Sequence, residues 1–542
     1  MLYYGRMNLR FLLPISLAIS VAAAGAQTTA DKAKPAVPPP ASSTASAAAP
    51  DPLVDAQVLM SKKQFAEAAA AFQAILAKNP SSPEANAGLV RSLLRGHKLD
   101  EAEEAAKKAI AAVPNSAMVH AAAGDVAFRA GKFADTEAEY RAALKLDANF
   151  ARAQLGMGRM YHMVSMNKRA KEAFAKAHEL DPNDDQITQY WLETLPYAER
   201  LEQVKKIAGN HPTPQESARI ELLTAVAKKK PWVLTTEIKP TEIKMLPYGS
   251  SQVGAFTGHS EGVANIHKGF ALGVRFNDRV SADILLDTGA GGIVIGRKLA
   301  EKIGVVKVAD TFIGGIGDKG PVSGYIGWVD KIRIGGVEFK DCLVEVSSKG
   351  DVVDESGLMG TDVFEKFLVT LDFKEWRLLL APLPNNPNAA SQDDEWQDRY
   401  IAPDMQGYTK IWRFGHLLVL PVVVSDKAVG NFALDTGSNG NLISPKLARQ
   451  VTKLNYEGYH MKGLSGDVKE VLNGDKAILQ FAKMRVQSAD IPVVAIGGTG
   501  GQDGTELEGL VGIRTLVQMK MTIDYRDGLV NLSVYDFRPA RE

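Results

Sequence analysis

The sequence predicts a multidomain α + β chain: an N-terminal α-helical solenoid followed by two β-rich lobes of common layout. Three observations carry this. Small residues recur with a fixed 34-residue period in the first third of the chain. Glycine and β-branched residues take over after Pro231, and the β-rich half contains one order of elements twice.

The bulk numbers set the frame. At roughly 100–200 residues per domain, the 542-residue chain holds more than one. Its 45% hydrophobic and 23% charged residues are an ordinary globular balance, sufficient for normal cores. Lys+Arg and Asp+Glu are equal at 63 each, so no global field draws the chain to nucleic acid or acidic membranes. The single cysteine, Cys342, excludes an intrachain disulfide and a cysteine-based metal cluster. In the run Asp341-Cys342-Leu343-Val344 it reads as a small buried hydrophobe. The nine histidines show neither H-E-x-x-H nor other metal-ligand spacing, so no metal is expected, and no cofactor. His259 and His267 lie in a Gly-rich approach to the first lobe and read as surface or packing residues. No G-x-S-x-G offers a serine nucleophile.

Taken in order, the chain opens on an export signal. Arg6 and Arg10 precede the apolar run 11–24, and Ala24-Gly25-Ala26 has the form of a cleavage site. Residues 1–26 are therefore expected to be a cleaved signal peptide, and the protein to be exported, periplasmic or extracellular. No later stretch is long and apolar enough for a stable membrane span. Residues 27–50 are almost wholly Ala, Pro, Ser and Thr and read as a disordered linker.

Residues 51–195 carry the repeats. Pro80, Pro114, Ala148 and Pro182 share one register; Ala68, Ala102, Thr136 and Ala170 share a second; Ile75, Ala109, Ala143 and Ala177 share a third. Gly124 and Gly158 fall at a tight helix crossing, where Val90 departs from the pattern. Phe72, Tyr140 and Phe174 fill the space the small residues leave. This resembles the tetratricopeptide repeat. One unit cannot bury its own apolar face, so the units must stack, and the resemblance implies a protein partner on the concave face. Residues 196–231 read as a helical connector ending in a solvated run, Lys228-Lys229-Lys230.

Strand-like texture then continues to the C-terminus: lobe 1 at 232–385, an inter-lobe linker at 386–406 and lobe 2 at 407–542. In lobe 1 an apolar run ends in Asp287-Thr288-Gly289-Ala290; in lobe 2 another ends in Asp435-Thr436-Gly437-Ser438. Each is followed by a second strand-like run and a short helix. Gly-rich turns come next, 27 residues after Asp287 at Gly314-Gly315-Ile316-Gly317 and 28 after Asp435 at Gly463-Leu464-Ser465-Gly466. An apolar-apolar-Gly element closes each copy, at Leu358-Met359-Gly360 and Leu510-Val511-Gly512. No G-K-[ST] follows the turns, so they are not phosphate-cradling loops.

This doubled layout resembles the bacterial retropepsin-like aspartic proteases, over roughly residues 262–382 and 407–538 and more weakly from Trp232 onward. The resemblance implies two closed-barrel β lobes, related by a pseudo-twofold axis that brings the D-T-G loops together. It implies Asp287 and Asp435 as a catalytic pair sharing one proton and activating water for peptide hydrolysis. Thr288, Gly289, Thr436 and Gly437 would lock the loops. Ser438 would hydrogen-bond its neighbouring carboxylate, whereas Ala290 at the matching place cannot. Gly314, Gly315, Gly317, Gly463 and Gly466 would belong to flaps over a polypeptide substrate. Tyr325 and Tyr459 lie near the flaps in sequence. The rival expectation is a non-catalytic scaffold in which the repeats carry the function.

Overall fold

A computed structural model describes residues 51–252, 265–316, 320–348, 357–392, 394–455, 461–463, 466–468, 471–496 and 504–535. The expected signal peptide and linker at 1–50, and His259, Gly317 and Tyr459, lie outside these residues.

The 34-residue period appears directly in the helices. First helices of successive repeats start at Pro83, Ala117, Ala151 and Asp185; second helices start at Phe65, Leu99, Phe133 and Asn167. Ser82 and Ser116 cap their helices by accepting from the backbone three residues on, and Pro83 sits in a first turn where no N–H is required. Small residues admit the large ones. A Cβ on Gly88 would lie 2.4 Å from Phe72 Cζ, one on Gly124 2.6 Å from Tyr140 Cε1, and one on Gly158 2.6 Å from Phe174 Cδ1. Val90 is the informative departure. Tyr140 and Phe174 lie 16 residues after Gly124 and Gly158, and the same step from Val90 leads to Ala106. Val90 and Ala106 share one core cluster, so the large and small partners have exchanged places and the volume is kept.

The segment beyond the repeats forms two more helices, Tyr197–Ala208 and Pro214–Lys228. Their Leu201, Val204, Leu222, Leu223 and Val226 pack with Ala309, Ile326 and Leu343 of the first lobe. The lysine run is not simply a solvated helix end. Lys229 lies 2.8 Å from Asp341 and 5.0 Å above the Trp328 ring, because the docked helix brings it over that strand surface.

Each lobe is a closed ring of six strands. In the first the order is Val337–Ser347, Ile293–Gly296, Gly357–Met359, Val280–Leu286, Asn265–Phe276 and Val322–Ile334, and the last pairs back to the first. In the second it is Met484–Val493, Leu442–Ile443, Gly509–Gly512, Ala428–Asp435, Leu417–Val424 and Leu472–Phe481, closed in the same way. Both rings run parallel at the same two junctions, so the copies agree in topology as well as motif order. Cys342 is fully buried in the apolar core.

A six-stranded sheet joins the lobes. Phe367–Asp372 of the first pairs antiparallel with Met519–Asp524 of the second, with Thr370 opposite Thr522 and their hydroxyls 2.9 Å apart. Val369 opposes Ile523 and Leu371 opposes Met521, so a local twofold passes through the threonine pair. The repeats dock on the second lobe. Phe133 meets Trp412 edge-on at 4.5 Å between centroids, and Glu506 N–H donates to Arg129 carbonyl at 2.9 Å. A bridge between Met166 and Asp398 ties the repeats to the inter-lobe segment.

Candidate active site

Each aspartate stands where a strand stops and its neighbour keeps it in place. Val280–Leu286 delivers Asp287, whose N–H donates to Met359 carbonyl at 2.8 Å. Ala428–Asp435 delivers Asp435, which lies in parallel register with Gly512. The apolar-apolar-Gly elements are therefore the strands that support the D-T-G loops from behind.

The two loops meet through four hydrogen bonds related by the twofold. Thr288 N–H donates to Thr436 Oγ1, and Thr436 N–H to Thr288 Oγ1, both at 3.0 Å. The Thr288 hydroxyl donates to Leu434 carbonyl at 2.8 Å and the Thr436 hydroxyl to Leu286 carbonyl at 3.2 Å. Each threonine thus binds the opposite strand just before its aspartate. Both threonines are buried, so water cannot replace these bonds cheaply.

The carboxyl groups come together above this lock. Gly437 N–H donates to Asp435 Oδ1 at 2.9 Å and to Asp287 Oδ1 at 3.1 Å, so one backbone donor serves both side chains. Gly289 N–H adds a bond to Asp287 at 2.7 Å, and Ser438 N–H one to Asp435 at 3.1 Å. A Cβ on Gly437 would lie 2.3 Å from Asp287 Oδ2; only glycine lets the first lobe's carboxyl lie so close to the second lobe's backbone. Both aspartates have 0% exposure. Burial pushes the Asp287 carboxyl well above the usual range, and the charge of Asp435 and a side-chain hydrogen bond with it push the same way.

Other candidates fall as follows. The Ser438 hydroxyl donates to Gly440 carbonyl at 2.8 Å, so the serine reaches Asp435 through its backbone instead. Gly314 and Gly315 follow Val306–Ile313, which pairs with Val322–Ile334 in a hairpin. Gly463 and Gly466 face each other in the hairpin of Met461–Gly463 and Gly466–Val468. Ile316, next to the first pair, is buried in a cluster with Leu417, Leu442 and Leu510 of the second lobe, against which Met461 and Val468 pack. The two hairpins therefore share one apolar seam. Tyr325 lies within Val322–Ile334, opposite Val346, away from the hairpin's end.

Four contributors escaped the sequence reading. His416 is buried, with Nε2 3.1 Å from Gly289 carbonyl. Asp362 accepts from Gly292 N–H at 3.1 Å, and Asn441 accepts from Gly512 N–H at 3.0 Å, each bracing a loop in its lobe. Ile316 is the fourth. Asp362 and Asn441 sit at different offsets from their D-T-G, so matching the two copies does not reveal them.

Fold and site together define the class: helical repeats joined to a two-lobed module of the aspartyl protease type, whose D-T-G loops interlock within one chain. Comparison with known proteins bears on both parts. Residues 272–363 match the Aspartyl protease family and residues 59–125 the Tetratricopeptide repeat family. No curated protein matches the chain. Among solved structures it is similar to a thermophilic TPR protein of Thermus thermophilus, with 20% identity over 32% of this chain and 97% of that one and a TM-score of 0.28. It is similar to PilF of Pseudomonas aeruginosa, with 18% identity over 33% and 84% and a TM-score of 0.26. It is also similar to MamA, with 19% identity over 28% and 96% and a TM-score of 0.22.

Proposed function

We propose that the chain is an aspartic-type endopeptidase with Asp287 and Asp435 as its catalytic pair, and that the repeats recruit a protein partner or substrate. The observation that carries this reading is the single Gly437 N–H shared by two buried carboxyl groups from opposite lobes. The pair holds one proton and titrates as a unit. Its ionised member takes a proton from a water, whose oxygen bonds to the scissile carbonyl carbon. Its protonated member polarises the carbonyl oxygen. When the C–N bond breaks, the leaving amine takes a proton from the pair. Because neither aspartate is exposed, the site must open to admit a polypeptide, and the two hairpins are the elements that this reading assigns to that opening.

The same proposal includes removal of residues 1–26 on export to a periplasmic or extracellular location, with 27–50 as tether. It divides the remainder into repeats at 51–195, a connector at 196–231, and lobes at 232–385 and 407–542 joined by 386–406.

The test is hydrolysis of a denatured protein mixture from mildly acidic to neutral pH, with and without a transition-state-mimic aspartic protease inhibitor. Cleavage that the inhibitor blocks supports the proposal. Cleavage that resists the inhibitor but yields to a chelator or a serine-directed reagent removes it.

A further inference from the structure

Two residues of the second lobe, Gly415 and His416, make the turn between Trp412–Phe414 and Leu417–Val424. Gly415 takes a φ of 63°, which glycine adopts without strain. The tips of such hairpins ordinarily face water. This one points inward: His416 is buried, and its Nε2 lies 3.1 Å from the carbonyl oxygen of Gly289 in the first lobe. A carbonyl oxygen only accepts, so Nε2 carries the proton and donates it. The doubled layout does not supply a second imidazole. Counted along the paired strands, His416 stands one residue before the position that faces Asp435, and the residue so placed before Asp287 is Lys268.

The turn is braced from behind. Arg413 donates to Gly415 carbonyl at 3.1 Å and lies 5.3 Å from the centroid of the Tyr525 ring. Trp412 and Phe414 pack at once against Phe128 and Phe133 of the repeats and against the seam of Leu417, Leu442 and Leu510. Phe133 meets both, at 4.5 Å and 6.1 Å between ring centroids. The histidine is therefore fixed by its own lobe and by the repeats before it reaches the other lobe. At the far end of the contact, Gly289 N–H donates to Asp287 Oδ1 at 2.7 Å. The peptide group that follows faces two ways: its carbonyl accepts from His416, and its N–H, that of Ala290, donates to Asp287 carbonyl at 3.1 Å. A shift of this peptide carries with it the donor that holds the Asp287 carboxyl.

We propose that His416 is a positioning residue of the hydrolytic site: it fixes the Gly289 peptide, and through it the orientation of the Asp287 carboxyl. The inference rests on the reading of Asp287 and Asp435 as a catalytic pair. It makes the two halves of the pair unequal. Asp435 is held by Gly437 and Ser438 of its own lobe, whereas the loop that holds Asp287 is steadied by a side chain from the opposite lobe. A bland alternative is a buried histidine that only satisfies a carbonyl. The two differ in what happens to the chemistry when the bond is removed and when another donor of equal reach replaces it.

The experiment is steady-state kinetics of the full chain on a fluorogenic peptide, with active sites counted by titration with a tight-binding transition-state mimic. Wild type is compared with His416→Leu, His416→Gln and His416→Asn. Glutamine places an amide N–H where Nε2 stands, and asparagine holds the same amide one carbon short of it. His416→Leu and His416→Asn each lower kcat per titrated site by about tenfold and leave KM within about twofold. In both, the acid limb of the kcat/KM profile moves to higher pH, because the Gly289 N–H bond favours the ionised Asp287 carboxyl and is weakened. His416→Gln stays within about threefold of wild type and keeps the limb in place. Where His416→Leu does not fold, the glutamine and asparagine pair decides alone. A merely structural role would lower the number of titrated sites and leave both kcat per site and the limb unchanged, and that result overturns the inference. So does a glutamine variant as impaired as the asparagine one. A wild-type chain that cleaves nothing removes the protease reading and this inference with it, whereas a cleaving wild type with unaffected variants removes this inference only.

Discussion

At the scale of single residues, the strongest constraints fall on the threonine lock. Thr288 spends its hydroxyl on Leu434 carbonyl and on Thr436 N–H, two buried groups of the opposite lobe. Thr288→Val keeps the shape and removes both bonds, and we expect a loss of about 2–4 kcal/mol in denaturant unfolding with a large fall in cleavage. Thr288→Ser restores most of both. Glu345 gives a pH signature independent of the site. Burial alone raises its carboxyl from 4.5 to about 8, and it is almost fully buried. The folded state therefore binds a proton more tightly than the unfolded state. The stability this contributes is complete below pH 4.5 and is lost as pH rises towards about 8, falling by about 1.4 kcal/mol for each pH step of one between those limits. Glu345→Gln flattens that decline in unfolding curves taken across the range. The aspartates and threonines were legible in the sequence because the motif appears twice. His416 and Asn441 were not, since a lone histidine or asparagine in a loop just before a strand has many uses and only the folded loops show which one applies.

At the scale of elements, the hairpins decide whether the buried pair can work. Ile316 anchors the first hairpin to an apolar cluster of the second lobe. Burying a side chain of this size contributes about 1.5–3 kcal/mol, so Ile316→Ser lets the hairpin lift and lowers kcat/KM by about tenfold. Steady-state kinetics on a fluorogenic peptide, at a temperature where unfolding curves show the variant still folded, checks this. The register of the repeats was readable in the sequence, because a 34-residue step recurs in the small residues, but the helix bounds were not: Phe65, Leu99 and Phe133, which read as turn residues before the second helices, begin those helices. Even the Val90 departure is explained by Ala106. The helices Tyr197–Ala208 and Pro214–Lys228 were read as helical but not as a wedge against the first lobe, since their apolar residues name no partner until Ala309, Ile326 and Leu343 are in place. Strand pairing across the lobes was equally silent in sequence. The Thr370–Thr522 opposition joins residues 152 apart, and no local pattern encodes it.

At the scale of the molecule, the shared sheet makes the two lobes one unit. Leu371 and Met521 oppose each other across the joint and are fully buried, so separating the lobes would expose a wide apolar strip. Cutting an engineered site in the segment 386–406 should leave the pieces co-eluting in gel filtration until denaturant is added. Separate elution in buffer alone would mean the joint is weaker than its burial implies. The central claim is that one chain supplies both carboxyl groups of one site. It is tested most directly by assaying full-length Asp287→Asn, Asp435→Asn and an equimolar mixture of the two on a cleavable peptide. The account predicts no cleavage by either variant and none by the mixture, because each molecule completes its own pair. Cleavage retained by either variant, or regained on mixing, would contradict it.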